Sequence, residues 1–491
     1  MNIGKSTYTA IPVSAQDPRT SDRAPGSEAS RRATTPNVPR DSGGARLTCQ
    51  GVGLSALESE LTTSALIAPS HLRSLPLRLA AGFMSSSEFE EAIRRAVQSG
   101  PERLLSGVAL AAASVREDVP DYLAAHGTLK PAPSPEVSTK TVMWLASCVK
   151  LATTIAALQC VERGLFSLDS TADIERILPE WANLEVVSFD AEGHPSLAPV
   201  KEKITLRRLL NHTSGLTYDF MPPLLQWRQS RGEAWQSMRS PISECFVHPL
   251  IFEPGSGFAY GPSLDVAGLM VARANNTTLE AYLRQNIFDV LDMHDTSFHV
   301  SHNTIGDRLM PLSTRSSPEE PLEEVDPSKS MLKQPVDAKD EYGGAGLFGT
   351  AEDYLKLLKS ILRDDGRLLT SQTLELMFEP SMSPQCKIAL NKNLSVPDLA
   401  KIYIPGEPVV GTPGAGDWNH GLGGLIGLHK SDDGFESQWL QWVGGPNLKW
   451  WIDRKGGTCG MFATQLFPPG EAKSIHLQKM FQKEIVNRYK A

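Results

Sequence analysis

One segment in the first third of the chain constrains the fold more than any other. Residues 144–164 carry apolar side chains around nearly the whole circumference of a helix and end at a glycine. A helix without a polar face is stable where other elements cover it on every side. The sequence therefore predicts a helix in the middle of a core, with inward positions at Leu151, Ile155, Ala156, Leu158 and Val161.

Amphipathic patterns predict further helices around this segment. The first begins at a capping box formed by Ser87 and Glu90 and ends near Gly100. The last lies near the C-terminus and carries its apolar residues on one face. Between them, helical spacing predicts helices at residues 205–211, 263–274, 279–291 and 351–363, whereas residues 303–340 are polar and loop-like.

Strand patterns lie towards the two ends of the chain. Residues 104–115 form an apolar run, and after Asn419 apolar runs alternate with glycine-rich turns. This alternation is typical of an antiparallel meander. Its predicted strands cover residues 421–428, 438–443, 448–453 and 461–466.

The order of these elements predicts the domain organisation. Strands at both ends with helices between them indicate an α/β (α+β) fold, in which a helical lobe is inserted into an α/β lobe. We expect one catalytic domain over residues 84–491, with its cleft between the lobes. Residues 84–140 and 335–491 are assigned to the α/β lobe and residues 141–334 to the helical lobe.

The residues before this domain, 1–83, differ in composition. Their first half contains few large apolar side chains among many Ser, Thr, Pro, Gly and Arg residues, which predicts a poorly ordered extension. It lacks the apolar block of a secretory signal, so we expect a cytoplasmic protein. Met84 is expected to serve as an alternative start.

Composition excludes several classes of function. With 48 Lys and Arg against 56 Asp and Glu, the net charge of -8 does not suit nucleic-acid binding. There is no run of about 18 apolar residues, so no membrane helix is expected. The six cysteines form no C-x-x-C pair and the eleven histidines show no metal-ligand spacing. We therefore expect no disulfide framework, no metal and no cofactor.

Ser147 and Lys150 form an S-x-x-K pattern at the start of the apolar helix. Side chains three residues apart share a helix face, and the helix dipole stabilises negative charge at this end. A lysine desolvated enough to be neutral can accept a serine proton. The alternative is that Ser147 merely caps the helix. A second copy of the pattern at residues 330–333 lacks the apolar setting, whereas a lysine within an apolar helix indicates a function or a partner.

Three other segments suit the same chemistry. Residues 211–216 form a polar turn after a helix, with Tyr218 following, and Tyr260 lies in a loop rich in Gly and Pro. A phenol near an ammonium group loses its proton more easily and can act as a base. Gly444 and Gly445 lie between two predicted strands, where glycine allows the close backbone approach of an oxyanion hole. Ordinary turns and a packed aromatic residue are the alternative interpretation.

Together with the segment 342–348, these motifs resemble the serine β-lactamase and penicillin-binding-protein-like family, in its class C esterase and transesterase branch. Within that branch the sequence is most similar to the fungal lovastatin acyltransferase type. The resemblance extends from about residue 84 to the C-terminus. It implies a β-lactamase/transpeptidase-like fold, with an antiparallel sheet flanked by terminal helices and an inserted helical lobe.

The resemblance also implies roles for individual residues. Ser147 is the expected acyl-enzyme nucleophile, and Lys150 and Tyr260 are expected to share the base and acid roles. The backbone N–H groups of Ser147 and Gly445 are expected to form the oxyanion hole. The expected substrate-binding residues are Tyr218, which would line the acyl pocket, with Trp144 and Gly444.

Three departures from the family pattern bear on the substrate. The Lys-Thr-Gly motif of β-lactamases is replaced by Gly444-Gly445-Pro446, which removes the cation that binds a lactam carboxylate. The Tyr-x-Asn motif reads Tyr260-Gly261-Pro262. Trp144 stands where the lovastatin enzyme has arginine, so the acyl carrier or alcohol is expected to differ.

The preferred hypothesis is acyl transfer through a covalent serine intermediate. The donor is expected to be an acyl thioester, for example on the acyl carrier protein of a polyketide synthase, and the acceptor an alcohol of a small polyketide-derived molecule. A hydrolase using water as the acceptor is the first alternative, and an inactive binding protein is the second. A β-lactamase is disfavoured by the missing lysine, and an α/β-hydrolase by the absence of a G-x-S-x-G elbow.

Overall fold

The computed structural model describes residues 87–490, apart from residues 132–133, 239–240, 301–304, 316, 318–319, 327–333 and 337. The predicted extension, Met84 and the second S-x-x-K copy lie outside the described residues. Within the described part, every helix is too short or too polar to cross a lipid bilayer. The cysteines in that part are buried free thiols, namely Cys148, Cys160, Cys245, Cys386 and Cys459.

The α-helices follow the chain from a short N-terminal helix to a long C-terminal one. They are α1 (Glu88–Val97), α2 (Val149–Glu162), α3 (Thr171–Ile177), α4 (Leu206–Leu210), α5 (Pro222–Ser230), α6 (Ile242–Cys245), α7 (Ser263–Ala274), α8 (Leu279–Leu283), α9 (Ala351–Arg363), α10 (Ser371–Phe378), α11 (Pro384–Leu394), α12 (Pro397–Tyr403) and α13 (Ala472–Tyr489).

The strands are short in the middle of the chain and longer near its ends. They are β1 (Gly107–Ser114), β2 (Tyr122–Gly127), β3 (Met143–Trp144), β4 (Glu185–Phe189), β5 (Pro195–Pro199), β6 (Ser313–Thr314), β7 (Glu323–Glu324), β8 (Phe348–Gly349), β9 (Trp418–His420), β10 (Leu425–Gly427), β11 (Trp439–Gly444), β12 (Leu448–Asp453), β13 (Thr458–Ala463) and β14 (Leu466–Phe467).

A seven-stranded antiparallel sheet joins the two ends of the described chain. Its strand order is β2-β1-β13-β12-β11-β10-β9, so strands from before and after the helical middle pair directly. Every residue of β1, β12 and β13 is buried, which requires cover on both faces of the sheet. The predicted mixed fold with a large antiparallel sheet is confirmed.

The two faces of β12 point to different parts of the molecule. Trp451 packs against Phe481 of α13, with ring centroids 5.5 Å apart. Because side chains alternate along a strand, Lys449 shares that face, whereas Leu448 and Trp450 point to the other. Helix α13 therefore covers the face that carries Lys449 and Trp451, and Leu448 on the opposite face lines the cavity described below.

The predicted central helix is present. Every residue of α2 from position 149 to position 160 is buried, and α7 packs along it. The predicted helices at residues 263–274 and 351–363 coincide with α7 and α9, and the predicted strand 448–453 coincides with β12. These elements have strong local signals, such as the cap of α9 by Thr350, whose side chain accepts a hydrogen bond from Asp353 N.

Several predicted boundaries were wrong. The strand expected at 461–466 is the end of β13 at Ala463, followed by β14. The helix expected at 144–164 begins at Val149, because the chain first forms β3 and then a 3₁₀ turn. The α-helix expected at 279–291 stops at Leu283 and continues as a π-helical turn. The strand expected at 421–428 is a tight connection followed by β10. Helices α3, α5, α6 and α10 to α12 were not predicted.

Replacement of Phe481 by alanine is expected to lower the free energy of unfolding by about 3–5 kcal/mol. The Phe481 ring is fully buried and lies within 5.4–6.4 Å of the rings of four residues from α1, β2, β12 and β13. Urea unfolding monitored by circular dichroism measures the loss. Ile388→Ala is the control, because Ile388 is 70% exposed. Equal stability of the two variants would contradict this description of the core.

Candidate active site

Ser147 lies in a tight turn between β3 and α2. Leu145 N donates a hydrogen bond to Leu347 O (2.9 Å), and Ala146 then adopts a left-handed φ of 46°. This conformation is uncommon for a residue with a side chain. The residue that caps α2 is Cys148, which makes no side-chain capping bond. The interpretation of Ser147 as a simple helix cap was therefore wrong.

Tyr260 contacts this serine directly. Its hydroxyl donates a hydrogen bond to Ser147 Oγ at 2.6 Å. The backbone of the tyrosine is held in place by Thr217, whose hydroxyl donates to Tyr260 O at 2.9 Å. A Cβ atom at Gly261 would lie 2.5 Å from Thr217 Cα, so this close approach requires glycine. Burial raises the pKa of Tyr260, and the phenol is therefore neutral at rest.

Lys150 lies at the start of α2, three residues after Ser147, and is buried. Its Nζ donates a hydrogen bond to Gly344 O at 2.5 Å and lies 4.8 Å from the centroid of the Tyr260 ring. Burial lowers the pKa of Lys150, because a charged ammonium group is poorly solvated there. The structure thus brings together the three predicted catalytic residues, with the lysine closer to neutrality than an exposed lysine.

Asp265 of α7 completes the surroundings of the lysine. Gly344 N donates a hydrogen bond to Asp265 Oδ1 at 2.8 Å, so the same glycine contacts both Lys150 and Asp265. A Cβ atom on Gly344 would lie 2.4 Å from Asp265 Oδ2. Burial raises the pKa of Asp265 and the lysine opposes that rise, while the carboxylate in turn raises the pKa of Lys150.

The turn after β11 approaches the nucleophile from the sheet. A Cβ atom on Gly444 would lie 2.9 Å from Leu145 O and 3.2 Å from Cys148 Sγ, so glycine permits this approach. Gly445 follows in the same turn. Both glycines line the same cavity as Ser147.

That cavity has a volume of about 300 Å³ and is mainly apolar. Ser147, Tyr260 and Gly445 lie on one side of it. The predicted pocket residue Tyr218 also lines it, with its ring centroid 5.9 Å from that of Tyr260. Part of the remaining wall comes from the loop before α5 and from α12, through Phe220, Met221, Leu399, Ile402, Tyr403 and Pro405. The rest includes Trp442 and Leu448 of the sheet and Gln478 of α13.

Comparison with known proteins places this site in a family. The model of the beta-lactamase family matches residues 93–482, which is most of the chain. The chain belongs to the beta-lactamase family. Within the match lie the serine, lysine and tyrosine described above.

Relatives within this family include fungal enzymes of two kinds. Lovastatin esterase from Penicillium rubens is 36% identical over 71% of this chain and 86% of its own length. Monacolin J acid methylbutanoyltransferase from Aspergillus terreus is 35% identical over 72% of this chain and 84% of its own length. Simvastatin synthase from Aspergillus terreus superposes with a TM-score of 0.73, at 33% identity, over 82% of this chain and 98% of that structure.

A more distant solved structure shows a likeness in fold. EstCE1, described as a hydrolase with promiscuous acyltransferase activity, superposes with a TM-score of 0.61 at 21% identity. The superposition covers 81% of this chain and 97% of the EstCE1 chain. The beta-lactamase-like fold expected from the sequence is therefore confirmed.

Trp144 was predicted to bind substrate, but it does not line the cavity beside Ser147. Its indole is buried, Nε1 donates to Ala345 O at 2.6 Å, and the ring stacks on Phe467 with centroids 6.3 Å apart. These contacts hold the strand that precedes the nucleophile. The position of Trp144 thus indicates packing and does not support the predicted substrate contact.

An aromatic cluster behind Tyr260 was not predicted as part of the site. In β11, the indole of Trp442 lies 5.4 Å from the Tyr260 ring. His212 lies 4.9 Å from the same ring and His420 lies 5.6 Å from His212. Burial lowers the pKa of both histidines, that of His420 to about 4, so both are neutral near pH 7.

The signals for these residues in the sequence were unequal. The turn containing His212 was predicted to suit the catalytic chemistry. The alternation of side chains along β11 could have placed Trp442 on the same face of the strand as Gly444. Asp265 and His420 had no local signal. Asp265 meets Gly344 across 79 residues of sequence, so its role depends on the tertiary fold.

Replacement of Asp265 by asparagine is expected to move the pH dependence of Ser147 reactivity to lower pH by about 1 unit. The carboxylate raises the pKa of Lys150, so its removal lets the lysine become neutral at lower pH. Asparagine retains an oxygen that can accept from Gly344 N. The measurement is the rate at which a fluorophosphonate labels Ser147 as a function of pH.

The control is Asp118→Asn, because the side chain of Asp118 is 72% exposed in the connection between β1 and β2. It should leave the pH profile unchanged. A midpoint that stays in place for Asp265→Asn, or moves to higher pH, would contradict the proposed influence of Asp265 on Lys150.

Proposed function

We propose that this protein is a serine acyltransferase that moves an acyl group from a thioester to an alcohol of a small polyketide-derived molecule. The observation that carries the proposal is the 2.6 Å hydrogen bond from Tyr260 to Ser147 Oγ, beside a buried lysine and an apolar cavity. The relative named as a methylbutanoyltransferase, at 35% identity, supports a short branched acyl group and a monacolin-like acceptor.

Ser147 begins the reaction by attacking the thioester carbonyl carbon. The phenol proton of Tyr260 passes to the neutral amine of Lys150 as the phenol oxygen accepts the proton of Ser147. The lowered pKa of Lys150 makes the amine available near neutral pH. The C–S bond then breaks, the thiolate takes up the proton through Tyr260, and Ser147 carries the acyl group as an ester.

Backbone donors are assigned to the negative charge that develops on the carbonyl oxygen. We assign this role to the N–H groups of Ser147 and Gly445, because Gly444 allows the strand to come close to the nucleophile turn. Loss of one such donor typically slows acyl transfer by about 10²–10³-fold. Gly445→Pro would remove the donor without adding a charge.

The acceptor alcohol attacks the acyl-enzyme in the second step. Tyr260 withdraws the alcohol proton and passes its own to Lys150 as the new ester bond forms. The bond between the acyl carbon and Ser147 Oγ then breaks, and Tyr260 returns a proton to Ser147. Tyr218, Tyr403 and the apolar side chains of the cavity favour a hydrophobic acceptor over water. As donor we propose an acyl thioester carried by the acyl carrier protein of a polyketide synthase, since the site needs an activated acyl group.

An esterase that releases the same acyl-enzyme to water is the second candidate. The observation in its favour is the 36% identity to a relative named lovastatin esterase. The two reactions share Ser147, Lys150 and Tyr260 and differ in the second step alone. Competition between water and a panel of hydroxylated decalin acceptors distinguishes them, because a transferase yields more ester product than free acid when the acceptor is saturating.

Incubation of the protein with a 2-methylbutanoyl thioester is expected to add one acyl group to Ser147. Intact-mass measurement should show the adduct in the natural protein and none in Ser147→Ala. Cys148→Ala is the matched control, because this neighbouring thiol is buried and its pKa is raised, which makes it a poor nucleophile.

The control variant should form the adduct as the natural protein does. An adduct that survives in Ser147→Ala, or that vanishes in Cys148→Ala alone, would reassign the nucleophile. A natural protein that forms no adduct with thioesters of several lengths would favour the inactive binding protein.

A further inference from the structure

A second buried lysine lies outside the catalytic residues. Lys449 is 1% exposed and follows Leu448, which lines the cavity. Successive strand residues face opposite sides, so Lys449 points towards α13. A buried charge in a sheet core is costly and gives little stability compared with an apolar residue. Its presence therefore calls for a specific partner.

The partners of Lys449 connect the sheet to the cavity wall. Its Nζ donates to Pro405 O at 2.8 Å and to Gln482 Oε1 of α13 at 2.9 Å. Pro405 follows the C-terminal end of α12 and itself lines the cavity. One ammonium group thus joins β12, α13 and the end of the wall helix.

The two residues after Pro405 also contact charged or titratable side chains. Lys479 of α13 donates to Gly406 O at 2.9 Å and lies 3.7 Å from Asp433 Oδ1. The Glu407 side chain is 3% exposed, and its Oε2 lies 3.9 Å from His429 Nε2. The lysines and the two carboxylates balance in charge. Burial lowers the pKa of Lys449 to about 8, while Glu407 and Asp433 favour its charged form.

The segment 405–407 follows directly after α12, which lies against the catalytic residues. Leu399, Ile402 and Tyr403 project from this helix into the cavity. The Tyr403 ring lies 5.6 Å from the Tyr260 ring and 6.3 Å from Trp442. A small movement of α12 would therefore change both the size of the cavity and the surroundings of Tyr260.

We propose that Lys449 and Lys479 are positioning residues for acyl selectivity, which they control by holding residues 405–407 and hence the α12 wall of the cavity. The selectivity part of this inference rests on the proposed acyltransferase function. The anchoring part does not, because it concerns the free protein.

Hydrogen exchange of the free protein tests the anchoring. Lys449→Met and Lys479→Met should each speed amide exchange in residues 397–407 by about 10-fold, the loss expected for a hydrogen bond to a charged group. Exchange in α9 should stay unchanged. Lys455→Met is the matched control, because Lys455 is exposed in the turn after β12 and donates to Gln438 Oε1 at 2.5 Å.

Acyl-chain selectivity tests the consequence. The measurement uses thioesters of increasing acyl length. Lys449→Met and Lys479→Met should each raise KM for the preferred donor by about 10-fold and reduce the preference among acyl lengths. The kcat values should change by less than about threefold. A stability effect alone would lower the active fraction and leave KM and the length preference as they are. Lys455→Met should match the natural protein.

The outcomes separate this inference from the proposed function. Unchanged exchange in residues 397–407, or an unchanged length preference with active enzyme, would overturn it. If the natural protein accepts no thioester, the proposed acyltransferase function fails, and the selectivity role fails with it even if exchange confirms the anchoring. Should Lys449→Met not fold, Lys479→Met decides, because that lysine is partly exposed, at 34% of its side chain.

Discussion

The structure depends on a single buried cation in the helix at its centre. Lys150 projects from α2 and is flanked in the sequence by apolar residues. Its ammonium group must therefore find partners inside the core. Gly344 O accepts its hydrogen bond and Asp265 supplies a nearby negative charge. The segment that contains Gly344, helix α7 and the turn that carries Ser147 all pack around this buried ammonium group. Burial of the lysine is also what lowers its pKa and makes it useful as a base.

Much of the site was predictable because its signals are local. Ser147 and Lys150 share one turn, and Tyr260 lies in a loop whose composition fixes its backbone. The unpredicted parts depend on long-range contacts. Trp144 was assigned to substrate, but its partner Ala345 lies 201 residues away. Helices α11 and α12 are short, begin with proline and mix polar with apolar residues, so their sequence pattern was weak.

The two faces of the sheet carry residues with different roles. On one face of the sheet, Trp442 of β11 lies beside Tyr260, and Leu448 of β12 lines the cavity. On the opposite face of β12, Lys449 connects to α13 and to the end of α12. The relatives named as an esterase and as an acyltransferase have similar identity to this chain, 36% and 35%. The choice between water and alcohol is therefore expected to depend on the cavity wall rather than on Ser147, Lys150 and Tyr260.

The central claim is that Lys150 and Tyr260 act as one unit in moving the Ser147 proton. A double-mutant cycle on the acylation rate, with Lys150→Met and Tyr260→Phe, tests this most directly. Each single replacement should slow acylation by about 10²–10⁴-fold, and the double variant should be no slower than the slower single variant. Slowing of the double variant by the product of the two single effects would show independent contributions and contradict the account.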